Sequence, residues 1–234
     1  ILGHDEPTIL KHLEDITGVK IETIPYHDDK VLQLFANSKS LGIVDDNYDQ
    51  EQLATMALPE FGTTTTKKIV LKTKPKGVND LIKISGLSHG ENVWQDNAEN
   101  LIEDGANLND IICCREDIVQ YLTSHSLKFA DAFNIMEKIR KGKGVSDEYE
   151  QLMYDAKVPE WYIRSCKKIK YLFPKAHATA YVIDAIRTAW FKIYYPIHFY
   201  AAWFSARTAE AFDIENIPKG AQVIKPIFED YKSR

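Results

Sequence analysis

Cysteine is scarce in this chain: Cys113, Cys114 and Cys166 are the three among 234 residues. An odd number with no CxxC spacing excludes a disulfide framework and a cysteine zinc site, and it fits a reducing, cytoplasmic compartment. Long apolar runs are missing too. Nothing approaches the roughly 18 uncharged apolar residues of a membrane span, and the opening ILGHDEPTILKHLED lacks the basic flank and apolar centre of a secretory signal. A soluble protein with no membrane partner is the expectation. The first residue is not Met, which is expected of a piece cut from a longer chain, although a processed terminus would look the same. A basic excess is also absent: 29 Lys and Arg stand against 34 Asp and Glu, a formal charge of −5. That balance excludes a protein that coats nucleic acid over its whole surface, so any polyanion site must be local. Neither a GxxxxGK[ST] loop nor an HExxH pair occurs, which sets aside P-loop nucleotide hydrolysis and zincin chemistry. The remaining histidines show no metal spacing, and the acidic pairs Asp28–Asp29 and Asp45–Asp46 read as solvated loop carboxylates.

What is present is enough apolar sequence, 44%, for one sizeable core or two modest ones. Asp5 and Pro7 suit a helix start, Ile9, Leu10, Leu13 and Ile16 recur at helical spacing, and Gly18 suits the stop. Residues 30–36 suggest a second helix, and 38–62 read as irregular surface. Residues 63–74 are ambiguous between strand and helix, with the helix preferred. From Val78 onward the pattern predicts helices near 78–85, 93–103, 115–125, 129–141, 147–157, 159–171, 175–194 and 197–210. The fold class is therefore mainly α, an irregular multi-helix domain with little or no sheet. Within 175–194, Ala178, Tyr181, Val182, Ala185, Ile186, Ala189, Trp190 and Ile193 form one buried stripe. His177, Tyr181, Asp184 and Thr188 line its edge, so His177 and Tyr181 present their side chains together near the helix start.

Three stretches could carry chemistry. In FPKAHATAY, residues 173–181, a lysine, a histidine and a tyrosine meet the start of that helix, where unpaired N–H groups suit an anion such as phosphate. In EKIRKGKG, Arg140, Lys141 and Lys143 lie beside Gly142 and Gly144, which let a backbone approach a ligand closely. Three like charges repel unless something negative visits. The bland alternative is that cations at a helix C-terminus simply meet its dipole. The run from Trp161 to Lys175 adds Arg164, Lys167, Lys168 and Lys170 with interleaved aromatics, able to touch phosphates and stack on bases, or to form an ordinary solvated face. Their coincidence in an acidic chain favours a phosphorylated ligand. KISGLSHGENVW places Ser85, Ser88 and His89 between glycines; Ser and His near each other in sequence do not make a triad, and a turn linking two helices is the reading adopted.

With these residues quoted, the sequence resembles the PolC-type α subunit of bacterial DNA polymerase III, a C-family replicative polymerase. ILGHDEPTILKHLEDITG, PEFGT, LIKISGLSHGENVW, FNIMEKIRKGKG, VPEWYIRSCKKIKYLFPKAHATAYV and YYPIHFYAAWFSAR follow that family's order and approximate spacing across essentially the whole chain. SGLSHG is the most specific of them, since the related DnaE-type subunits carry a different, proline-rich motif there.

The resemblance implies a fingers domain over 21–205, the distal edge of the palm over 1–20 and the start of a duplex-DNA-binding region over 206–234. It implies that Arg140, Lys141, Lys143 and Lys175 grip the triphosphate of an incoming dNTP, with His177 and Tyr181 against its sugar and base. Ser85, His89 and Phe173 would line the nascent base-pair pocket, and Lys167, Lys168 and Lys170 would attract nucleotide or template phosphates. In the family the third catalytic aspartate directly precedes an ILG like that at residues 1–3, and the other two lie further upstream. The Mg2+ ions of the parent enzyme would then be held by residues outside this sequence, and the isolated fragment is expected to be inactive. Partners implied are dNTP, primer-template DNA and, through the parent chain, a sliding clamp and replisome subunits. The competing reading is a stand-alone helical nucleic-acid-binding module without catalysis.

Overall fold

A computed structural model describes residues 5–43, 49–207 and 215–233. It is mainly α-helical, as expected. Among the described residues the β pairing is one isolated antiparallel bridge between Glu91 and Tyr171. The chain divides into two compact units, Ile1–Ile24 with Trp190–Arg234, and Pro25–Ala189.

In the first unit, α1 (Glu6–Thr17) carries Pro7 in its first turn and stops at Gly18, whose φ of 72° lets its N–H bond Glu14 O at 2.9 Å. Its Ile9, Leu10 and Leu13 are buried, and it packs on α11 (Pro196–Ala206), which buries Phe199 and Ala202. Arg207, just past α11, meets Glu6 at 3.3 Å and Asp5 at 3.7 Å. The helix foreseen over 197–210 is described to Ala206, and 208–210 lie outside the described residues. A final helix, α12 (Ala221–Ser233), closes the chain. Among the described residues no helix is long and apolar enough to cross a membrane.

The second unit holds the candidate site. Asp28 caps α2 (Asp29–Gln33) by accepting from the backbone of Lys30 and Val31. Thr63 caps α3 (Thr64–Thr73) by accepting from Thr66 N at 3.2 Å, and Ile69 and Val70 bury one face, which settles the ambiguous 63–74 stretch as helix. Asp45 and Asp46 lie outside the described residues.

Three expectations of helix extent are corrected, two here and one over 159–171 below. α4 (Val78–His89) runs straight through SGLSH, where the sequence suggested a turn. Gly86 is there for closeness: a Cβ on it would stand 2.5 Å from Cys114 Sγ and 2.6 Å from Cys113 O. The helix foreseen over 93–103 is instead a distorted turn, Trp94–Ala98, followed by the short α5 (Glu99–Glu103). Asp96 sits at φ 57° and Gln95 at ψ 133°, which no α-helix accommodates.

Asp117 accepts from the N–H groups of Cys113 (3.0 Å) and Cys114 (2.8 Å), fixing the start of α6 (Arg115–Ser124). α6 packs on α7 (Phe129–Ile139), whose Ala132, Ile135, Met136 and Ile139 are buried. Then come α8 (Asp147–Asp155) and α9 (Glu160–Lys168). The helix foreseen over 159–171 stops at Lys168, because Ile169 turns extended and residues 169–174 lead into α10 (Lys175–Tyr194). Ala178, Tyr181, Val182, Ala185, Ile186 and Ala189 of α10 are buried, as the stripe predicted, but Trp190 and Ile193 are only half-buried and Phe191 and Lys192 are buried instead.

Candidate functional site

The extended segment 169–174 is the spine on which the sequence-predicted residues assemble. Tyr171 and Glu91 exchange backbone bonds, Glu91 N to Tyr171 O at 3.0 Å and Tyr171 N to Glu91 O at 3.3 Å, while Lys170 N also donates to Glu91 O at 3.0 Å. That ties the spine to the residues just beyond α4. On the other side Arg115 N donates to Phe173 O at 3.1 Å, tying it to the start of α6.

The cationic turn 140–144 is anchored to the same spine. Arg140 follows the last residue of α7, and Gly142 N and Lys143 N fold back onto Ile139 O (2.9 Å) and Lys138 O (3.0 Å). Gly142, at φ 68°, lies against the Lys170 carbonyl, where a Cβ would come within 2.6 Å of the oxygen. Arg140 in turn lies within electrostatic reach of Tyr171.

The cations of the turn differ in their partners. Arg140 forks onto Glu137, its Nε meeting one carboxylate oxygen and its Nη2 donating to the other at 2.8 Å. Lys141 reaches the same carboxylate at 2.9 Å. These hydrogen bonds from two cations hold the Glu137 carboxyl down at about 2. Among the described residues Lys143 and Lys170 have no ion-pair partner, and both are exposed.

Lys175 opens α10, an end where the helix dipole disfavours a cation. Carboxylates from the first turn of α6 relieve this: Glu116 Oε2 accepts from Lys175 N at 2.8 Å, and Asp117 Oδ1 lies 3.5 Å from its Nζ. Burial acts to raise the Glu116 carboxyl, but the Lys175 N–H and the Arg115 side chain outweigh it and hold it low. Lys175, Asp117, Lys83 and Tyr162 share the wall of a cavity of about 450 Å³.

Four aromatic rings from three parts of the sequence stand in a row. His89 at the end of α4 meets Phe173 edge-on at 4.7 Å, Phe173 meets His177 edge-on at 4.7 Å, and His177 lies 4.4 Å from Tyr181. Burial favours the neutral imidazole at both histidines, and at His89 the nearby His177 adds to it. Glu60 contacts His89 Nε2.

Backbone contacts thus tie the 140–144 turn to Lys170 on the segment that runs through Phe173 into Lys175, and ring contacts join His89, Phe173, His177 and Tyr181. The other candidates have contacts of their own. Ser85 is fully buried inside α4, Lys167 pairs with Glu150 of α8 at 2.5 Å, and Lys168 donates to Asp96 O at 2.5 Å. Gly86-Leu87-Ser88-His89-Gly90 has the spelling of a nucleophile elbow, yet no strand precedes it, and Ser88 Oγ donates back to Ser85 O at 2.9 Å. Sequence reasoning missed Glu137, Glu116 and Asp117, the carboxylates that hold the cations. Glu137 was legible, three and four positions before Arg140 and Lys141; the other two lie 58 or more residues from Lys175 and left no local signal. Among the described residues no three His, Cys, Asp or Glu side chains form a group fit to hold a metal ion.

Residues 6–158 match the family model of the bacterial DNA polymerase III alpha subunit finger domain. The chain is 47% identical over 234 residues to the DNA polymerase III PolC-type of Ureaplasma parvum serovar 3, and 46% over 235 to that of Listeria monocytogenes serovar 1/2a. It is 44% identical over 235 residues to that of Bacillus subtilis. In each case all of this chain aligns, so the likeness continues beyond the family model through the spine and α10. The chain spans 16% of the length of each of these relatives.

Proposed function

Since the chain belongs to the bacterial DNA polymerase III alpha subunit finger-domain family, and its curated relatives are of the PolC type, we propose that it binds the incoming dNTP within a replicative polymerase. The observation that carries this reading is the anchoring of the Arg140–Lys143 turn on the segment that runs through Phe173 into Lys175. Cations on a pinned turn and at a helix start supply what a triphosphate needs, charge and N–H donors held in place beforehand. The row of His89, Phe173, His177 and Tyr181 supplies flat, largely neutral surface beside them for sugar and base.

In the reaction proposed for the parent chain, a primer 3′-hydroxyl attacks the α phosphate and pyrophosphate leaves. Arg140, Lys143 and Lys175, with Lys141, neutralise the charge that grows on the β and γ phosphates, and their fixed positions lower the reorganisation the step requires. Magnesium supplies nucleophile activation and charge stabilisation when bound, and we assign it to residues of the parent outside this sequence. Primer-template DNA and, through the parent chain, clamp and replisome subunits are the partners of this reading.

The test is Arg140→Ala and Lys175→Ala in the full-length polymerase. Each is expected to raise KM for dNTP or lower kcat by roughly tenfold or more, the range of one charged contact, with primer-template affinity changed less than about twofold. Equal losses of DNA affinity with unchanged nucleotide kinetics would favour a helical nucleic-acid-binding module instead.

A further inference from the structure

Two of the cations assigned to the triphosphate, Arg140 and Lys141, are already paired with a carboxylate. Glu137 receives both Nε and Nη2 of Arg140 and the ammonium of Lys141, so both its oxygens are occupied by cations. An ordinary exposed pair at this helical spacing contributes little and exchanges freely with water. This one differs in geometry. The fork is bidentate, both Glu137 and Arg140 side chains are only 26% exposed, and the turn bearing the cations is pinned by Gly142 against Lys170. Lys143, the remaining cation of the turn, has no carboxylate partner among the described residues.

We propose that Glu137 is a placeholder anion: it occupies Arg140 and Lys141 until a polyphosphate displaces it, and so sets a threshold of charge that a ligand must exceed. This rests on the reading of Arg140 as a nucleotide-binding residue. A carboxylate brings one negative charge to the fork. Inorganic phosphate brings little more and gains little by exchange, whereas a triphosphate brings several charges and can engage Lys143 and Lys175 at once, so it prevails. Glu137 is thereby a specificity-determining residue for polyphosphates over single phosphates. It also keeps Arg140 and Lys141 from being presented bare to any passing phosphodiester.

The experiment uses the full-length polymerase and compares wild type with Glu137→Gln, which keeps shape and removes charge, and with Glu137→Asp, which keeps charge and shortens reach. Three quantities are read: KM for dNTP, the half-inhibitory concentration of inorganic tripolyphosphate, and that of inorganic phosphate. Glu137→Gln is expected to lower KM and the tripolyphosphate value by threefold or more, and the phosphate value by a larger factor; Glu137→Asp shifts all three less. Melting temperatures are recorded so that only variants with the wild-type transition are compared. Values within twofold of wild type, or raised, overturn the proposal, since a residue that merely orients Arg140 would weaken nucleotide binding when neutralised. Arg140→Ala measured alongside separates the two claims. If it raises KM while Glu137→Gln does not lower it, the placeholder alone falls; if it leaves KM unchanged, both fall.

Discussion

Gly142 and Lys170 meet backbone to backbone, so closely that a Cβ on the glycine would stand 2.6 Å from the Lys170 carbonyl oxygen. The contact joins the end of α7 to the segment leading into α10, and thus the cationic turn to Lys175.

Replacing Gly142 by Ala should therefore destabilise the protein by about 2–4 kcal/mol, combining the left-handed backbone with a steric clash. Gly144 has the same φ of 68° and nothing within 4 Å of its would-be Cβ, so Gly144→Ala should cost only about 1 kcal/mol. Urea denaturation of the two variants checks the difference; equal losses would mean that the close approach is of no consequence.

His89 and Phe173 should be energetically coupled, since their rings meet edge-on at 4.7 Å. A double-mutant cycle of His89→Ala and Phe173→Ala is expected to give a coupling of about 0.5–1.5 kcal/mol. A value indistinguishable from zero would remove the aromatic row as a structural unit.

The Glu137 carboxyl should titrate at about 2 in the folded protein, against an ordinary value of 4.5. A carboxyl lowered on folding contributes stability above its unfolded value and loses it as pH falls, here between 4.5 and about 2. Carboxyl chemical shifts followed by NMR would reveal the midpoint. A midpoint near 4.5 would show that Arg140 and Lys141 do not hold the carboxylate in solution.

All three cysteines are buried, and burial lifts the Cys114 thiol to about 12 and those of Cys113 and Cys166 upward as well. At pH 8 the native chain should therefore show no thiol reactive toward a disulfide reagent within minutes, and three after unfolding in guanidinium. One fast thiol in the native state would contradict the packing of Gly86 against Cys113 and Cys114.

Much of this was legible in order along the chain. The α10 stripe, the Gly18 stop and the cationic turn all follow from spacing between near neighbours, because helical periodicity and capping act over one or two turns. The errors fell where a distant segment decided the local shape. Gly86 reads as a breaker, yet α4 continues through it because the Cys113–Cys114 backbone occupies the space a side chain would need. The basic run at 164–170 reads as one face, yet Lys167 and Lys168 turn to Glu150 and Asp96, acceptors 17 and 72 residues away.

The sequence by itself determined the helical class, the charge that confines any polyanion site to one region, and the identity of the cations and rings at that region, since composition and periodicity are properties of the chain alone. Only the tertiary structure decided which of them stand together and what each already touches. Glu116, Asp117 and the Lys170 carbonyl reach their partners across tens of residues, and such contacts exist only once helices distant in sequence have packed.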